Sequence, residues 1–233
     1  AYDESRGSGL AGARASARGE GVGATLARTP DRDRLGWRVQ VWRRESDFAN
    51  ASVAVAPGRT MTTPANDQFA TPATGWGGNL ALRRVALDMG GGRLEWEIGA
   101  DARFSEGETQ ERFRYMVGQF TRDRVAGGET SVVGAYVEGA WAGGSWLVAG
   151  GLRLDRWENV RGRRLEVDRV TGLPTLDETY PDRSGDVASA RFAVRRDLDA
   201  DWAVRAAAYS GFRPATLNEL HRPFRVGNDL TEA

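Results

Sequence analysis

Cysteine and lysine are both missing from this 233-residue chain, and histidine occurs once. Without cysteine there is no disulfide framework, no thiolate metal site and no cysteine nucleophile. The single histidine, His221, lacks a second imidazole or thiolate with which to hold a transition metal, so it reads as structural. All 32 basic residues are arginine, set against 32 acidic ones, and the formal net charge is zero. No long-range field therefore draws nucleic acid to the molecule. No apolar run reaches the 18 residues of a membrane-spanning helix. The start, Ala1-Tyr2-Asp3-Glu4-Ser5-Arg6, has neither the basic region nor the apolar stretch of a signal peptide. Mean hydropathy is −0.50. That excludes a helical membrane protein but not a barrel, whose polar lumen and polar loops lower the average.

What is abundant is glycine, at 30 residues, and tryptophan, at 8. Glycine suits turns and close strand packing, and tryptophan suits the interfacial belts of membrane proteins. The chain also alternates. Ala11, Ala13, Ala15 and Ala17, then Val22, Ala24 and Leu26, make weak strands, and Leu35, Trp37, Val39 and Val41 make a clearer one. Residues 94 to 104 alternate most cleanly. Leu94, Trp96, Ile98, Ala100, Ala102 and Phe104 share one face, while Glu95, Glu97, Gly99, Asp101 and Arg103 share the other. An unbroken charged row behind an unbroken apolar row reads as a lumen face behind a lipid face. Gly90-Gly91-Gly92 reads as the turn before it, and the change of phase near Arg83-Arg84 as a bulge or a strand end. Around a turn at Gly143-Gly144, pairing Ala142 with Ser145 sets Trp141 opposite Trp146 and sorts both strands onto matching faces. Ala188, Ala190, Phe192 and Val194 likewise share a face with Trp202, Val204, Ala206 and Ala208.

Between these strands lie long polar stretches at 46–77, 105–130 and 157–185, read as loops without periodicity. Long loops at one end and short turns at the other are the mark of an antiparallel transmembrane barrel. Arg112, Arg114, Tyr115 and Arg122 in the second loop, and Tyr180 in the third, could meet an anionic or aromatic ligand. Local ion pairs on a solvated loop explain the same residues. Trp37, Trp96, Trp141, Trp146 and Trp202 read as a membrane girdle. No acid, base and nucleophile converge, so an enzyme is not expected. Glu95, Glu97 and Asp101 are strung along one strand as lining rather than paired across a cleft. No metal or cofactor is expected either.

The last segment carries a motif. After the strand-like run from Trp202 to Tyr209 come Phe212-Arg213-Pro214, then Thr216-Leu217-Asn218-Glu219-Leu220, then Gly227-Asn228 and Glu232-Ala233. Thr216 followed three residues on by Glu219 is a capping box for one helical turn. This stretch resembles the barrel of TonB-dependent outer-membrane receptors. There a strand ends in an aromatic-Arg-x-Pro-Thr-Leu-x-Glu-Leu pattern, followed by Gly-Asn and an acidic-Ala-Asn-Pro run. The resemblance implies an all-β fold, with residues 1–233 forming about nine or ten strands of a larger barrel and the plug domain, TonB box and remaining strands lying elsewhere in a longer precursor. It implies a receptor in the outer membrane of a Gram-negative bacterium, in contact with lipid and with its own plug. Energy would come from the TonB-ExbB-ExbD complex for uptake of a scarce nutrient such as a ferric siderophore, haem or cobalamin. Glu95, Glu97, Asp101, Arg103, Arg191, Arg205 and Tyr209 would then line the path past the plug. A passive porin-type channel and a non-membrane all-β binding domain stay open. The first leaves the motif unexplained, and the second has to cover the apolar face with another layer.

Overall fold

The computed structural model describes residues 1–7, 9–226 and 229–231, with side chains as far as Pro223. The expected motif residues Gly227, Asn228, Glu232 and Ala233 lie outside the described residues. Twelve strands form one sheet. They are β1 (Tyr2–Gly7), β2 (Arg14–Arg28), β3 (Gly36–Val55), β4 (Thr62–Ala70), β5 (Ala73–Arg83), β6 (Leu87–Met89), β7 (Gly92–Met116), β8 (Gln119–Gly143), β9 (Trp146–Asp168), β10 (Pro174–Thr179), β11 (Arg183–Asp197) and β12 (Ala203–Tyr209). β13 (Phe224–Val226) and β14 (Asp229–Thr231) pair separately, and α1 (Leu217–His221) is a short helix. All pairing is antiparallel, in sequence order from β1 to β12. β4 and β5 share the edges of β3 and β7, while β10 and β11 share the edge of β9. Eight strands (β2, β3, β5, β7, β8, β9, β11 and β12) carry the alternating apolar stretch. The expected nine or ten falls between these eight and the twelve segments of the sheet.

Directly paired residues point the same way, so the ladders can be read as rows. One row runs Trp37, Leu82, Ile98, Val137, Leu152 and Ala190, apolar throughout. The next row, on the opposite face, runs Arg38, Ala81, Gly99, Tyr136, Arg153 and Ser189. The apolar face is the more open one: in this row Val137 is 47% exposed and Leu152 63%, and elsewhere on the face Leu154 and Leu26 are each 68% exposed. The buried set is mostly polar, with Gln68, Thr109, Glu111, Arg124, Asp155, Asn159, Arg164 and His221 outnumbering Ala81, Phe113, Ala126 and Val132. This is inside-out for a water-soluble sheet, which buries its apolar face. A lipid-facing barrel requires it. The apolar span 94–104 of β7 has the length of roughly 9–11 residues that a tilted strand needs to cross a bilayer. No described helix is long and apolar enough to cross a membrane.

The turns at one end are tight. Gly90 and Gly91 both have positive φ, 61° and 74°. That is the type I′ pattern that matches the twist of flanking strands. In the next hairpin the two-residue loop is Gly144-Ser145, because Gly143 pairs with Trp146. Trp141 therefore faces Val148 rather than Trp146, two residues from the register expected. A shift of two preserves the faces, so the apolar and polar sorting stands while the partners change. The phase change near Arg83 is a bulge: Arg83 pairs with Glu97 and Leu87 with Leu94, leaving three residues opposite two.

The three long polar stretches are not structureless. β3 continues to Val55, β7 and β8 run together to a tip at Val117-Gly118, and β9 continues to Asp168. Backbone ladders need no apolar face, and beyond the membrane both faces meet water or other protein, so the apolar alternation fades while the pairing persists. The expected tryptophans all fall within a few residues of the short turns, and Trp141 Nε1 donates to the Met89 carbonyl at 2.8 Å. At the far edge of the apolar band Trp76 stacks on Phe104, ring centres 4.2 Å apart.

Candidate functional site

The polar face is a wall of charged groups in two tiers. In the lower tier, level with the apolar band, Tyr136 Oη donates to Glu97 Oε1 at 2.7 Å, with Arg38 at 3.8 Å from the same oxygen. Gly99 makes room for this tyrosine. A Cβ there would lie 2.5 Å from the Tyr136 ring, so glycine is needed where the ring lies across the neighbouring strand. Arg153 donates from Nη1 and Nη2 to Asp101 at 2.6 and 3.1 Å, and from Nε and Nη2 to Asp155 at 2.6 to 2.9 Å. A guanidinium holding two carboxylates in a fork keeps all three side chains fixed. Arg191 pairs with Glu138. Tyr209, opposite Arg191, is exposed, as is Arg205, whose partner across the strands is Arg195. Glu95 is exposed and borders an open cleft of about 1040 Å³ with Glu97, Glu138 and Arg191.

The upper tier centres on Glu111 of β7, which is 1% exposed. It accepts from Asn66 Nδ2 at 2.8 Å, Arg124 Nη1 at 3.1 Å and Arg222 Nε at 2.7 Å. Arg124 also donates from Nε to Glu166 at 2.8 Å and lies over the Phe113 ring at 4.0 Å. One carboxylate thus joins β4, β8 and the chain after α1 to β7. Nearer the strand tips Arg122 pairs with Asp168. The Asp168 carboxyl lies below the usual aspartate range, because the backbone N–H groups of Thr171 and Val170 donate to it and Arg122 stands beside it.

The five arginines and tyrosines expected as ligand contacts do not converge. Arg122 is on the polar wall, and Tyr180 is against His221 with ring centres 5.1 Å apart. Arg112 is on the opposite face, 3.3 Å from Asp67 and over the Phe69 ring at 4.4 Å. Tyr115 packs edge-on to Phe120 beside the hairpin tip, and Arg114 is exposed with a φ of 59°. Asp101 is 3.9 Å from Arg103, which is otherwise open. Sequence reading missed Glu111, Arg124, Glu166, Arg153 and Asp155. Period-2 position could have put them on the polar face, but their pairing depends on register, and the Arg124–Glu166 and Arg153–Asp101 pairs cross 42 and 52 residues of chain.

The motif segment folds back over this wall. Thr216 caps α1, with both arms of the capping box formed to Glu219. Arg213 braces the same carboxylate at 2.8 and 2.9 Å. Together with the Thr216 N–H and hydroxyl, this holds the Glu219 carboxyl down to about 2. The segment leaves β12 at the sheet edge, and α1 packs on β8, β7 and β9. Among the described residues no group of three or more His, Asp and Glu is arranged to hold a metal ion.

An antiparallel sheet with its apolar face outward, its charges inward, tight turns at one end and extended hairpins at the other is part of a transmembrane β-barrel. The chain matches a family model described as TonB dependent receptor-like, beta-barrel, over residues 2–231. It belongs to that family, whose members are transporters of the Gram-negative outer membrane and not enzymes. The ferric-catecholate import receptor Fiu of E. coli K12, in its open form, superposes with a TM-score of 0.64 at 13% identity, over 88% of this chain and 37% of that one. The ferric citrate transporter FecA, unliganded, gives 0.57 at 13% identity, over 84% of this chain and 27% of that one. The ferric yersiniabactin uptake receptor FyuA from Yersinia pestis gives 0.57 at 11% identity, over 83% and 28%. At such identities the likeness is one of fold. The chain spans 27% to 37% of the length of these receptors. No curated protein matches the sequence.

Proposed function

We propose that residues 1–233 are part of the barrel wall of an outer-membrane receptor for active uptake of a scarce nutrient, a ferric siderophore first, with haem and cobalamin as the other ligand classes. The observation that carries this reading is the inverted sheet, with an exposed apolar band behind a wall of paired charges. A passive channel could use the same band. A polar segment folded back across the inner wall, as 211–223 is, suits a lumen that is occupied rather than open. The similar receptors are import receptors for ferric chelates, which supports the ligand class.

In this reading Glu95, Glu97, Asp101, Arg103, Arg191, Arg205 and Tyr209 line the lumen and face a plug domain. Trp37, Trp96, Trp141, Trp146 and Trp202 form the belt on the side of the short turns, which is periplasmic. The extended hairpins rise outside the cell. There Arg122 and Tyr180 are the best placed of the five expected ligand contacts, with Arg112, Arg114 and Tyr115 further out on the hairpin. Energy comes from the TonB-ExbB-ExbD complex through the plug. The test is accumulation of radioactive iron supplied as ferric citrate or a ferric catecholate, in cells with and without the gene and with and without TonB. Uptake that needs both supports the reading. Uptake that needs the gene but not TonB makes the protein a passive channel, and unchanged uptake of every chelate removes iron from the ligand list.

A further inference from the structure

The segment between β12 and β13 has a buried fastening that the transport reading does not use. His221, at the end of α1, is 8% exposed, and neither ring nitrogen has a hydrogen-bond partner among the described residues. Its seat is made by two glycines of the wall. A Cβ on Gly162 of β9 would come 2.5 Å from His221 Cε1, and one on Gly128 of β8 would come 3.1 Å from Nε2. Tyr180 covers the ring from the side. An imidazole buried without hydrogen-bond partners costs free energy when neutral and far more as a cation. The charged groups around the seat do not offset this. Arg164 on β9 is paired with Glu178 on β10 at 3.2 Å. Arg222 faces Glu111 of β7 at 2.6 Å, and Arg183 of β11 acts on the ring as a like charge. Among the described residues, the carboxylates of these pairs, Glu178 and Glu111, already accept from Arg164, Arg124 and Arg222, and none hydrogen-bonds to the ring.

We propose that residues 211–223 form a proton-released strap, docked on the inner wall while His221 is neutral and freed when it is protonated. The inference stands on this packing and not on the uptake reading. Undocking would open the polar cavity of about 370 Å³ bordered by Arg164, Glu178, Tyr180 and His221. The sign follows from linkage. Burial, and then Arg183, hold the docked imidazole below its ordinary 6.5. Docking is therefore fully favoured above that pH. It weakens about tenfold per pH unit as the pH falls below 6.5, until the docked imidazole itself takes up the proton. Glu219 cannot produce the same step, because its carboxyl titrates near 2.

The test is a distance measurement on the full-length receptor in lipid, spin-labelled at Asn218→Cys on α1 and Gln119→Cys at the tip of β8, with any other cysteine removed. The expected result is one narrow distance at pH 8 and a second, displaced population that grows about tenfold per pH unit below 6.5. His221→Phe should keep the narrow distance at both pH values. Gly162→Ala, which fills the seat, should show the displaced population already at pH 8. An unchanged wild-type distance down to pH 4.5, or the same acid response in His221→Phe, overturns the proposal. If the phenylalanine ring itself prevents docking, the histidine resonance that this variant lacks decides the matter in the wild type. Titration below 6.5 supports the strap, and titration at the ordinary value overturns it.

Discussion

β7 is two different strands joined end to end. From Leu94 to Phe104 its even residues are apolar and half-buried or exposed, and its odd residues are charged or small. From Ser105 to Met116 the odd residues Thr109, Glu111 and Phe113 are the buried ones, and the even face carries Glu106, Glu108 and Arg112. The backbone ladder to β8 runs through both halves. What changes is the medium on the apolar side. In the proposed setting, lipid in the first half stabilises what water would penalise, and the paired charges face a wet lumen. In the second half there is no lipid, and cohesion comes from a carboxylate shared among strands. The same pairing geometry thus serves two solvents, with the source of stability exchanged between the faces.

The sharpest way to break this comparison is Glu111→Ala. It leaves Arg124 and Arg222 close together in a buried site, and loss of one partner of a buried ionic cluster costs about 3–5 kcal/mol. Hydrogen exchange should rise at the outer ends of β7 and β8 and stay low over residues 94–104. Equal loss of protection along the whole strand would mean that the halves are not independent. Next is Leu152→Arg in the middle of the apolar band, which should cost about 2–4 kcal/mol in equilibrium unfolding from lipid vesicles. Ser189→Arg, in the neighbouring row on the polar face, should cost less than half as much.

Smaller effects concern the strap. Thr216→Ala removes one arm of the capping box and should weaken α1 by about 1 kcal/mol, read as faster exchange of the Glu219 amide with no change in the band. The smallest is the acid response of the Arg213–Glu219 brace. The folded carboxyl lies near 2, below the ordinary 4.5. Its contribution is present above 4.5 and is lost as the pH falls toward 2. Carboxyl titration by NMR should move to the ordinary range in Arg213→Gln. A carboxyl still near 2 in that variant would show that the Thr216 donors alone suffice.

The alternating half of β7 was legible in the sequence, because residues 94–104 keep a period-2 alternation without a break. The faces of the β8–β9 hairpin were legible for the same reason. Their register was not, since a slip of two residues keeps every side chain on its face and the Gly143-Gly144-Ser145 run offers two adjacent turns. The capping box at Thr216 and Glu219 was readable because it is local. The outer half escaped because its organising contacts are long-range. Glu111 meets Asn66 and Arg222 across 45 and 111 residues of chain, and no short window contains that pairing. The glycines that seat Tyr136 and His221 looked like ordinary turn or packing residues, since their partners lie on other strands.

In the proposed barrel one face of this sheet meets lipid and the other water. The most direct test is a single-cysteine scan of residues 94–113 in the full-length receptor, any other cysteine being replaced, in native outer membranes. Each site would be probed with a water-soluble maleimide and a lipid-soluble collisional quencher. The expected result is strict alternation from 94 to 104, with 95, 97, 101 and 103 reached from water and 96, 98, 100 and 102 quenched from lipid. Beyond 105, lipid quenching should vanish and the even positions should label from water, while 109, 111 and 113 stay protected. Alternation of the opposite phase, or water labelling on both faces between 94 and 104, would contradict it.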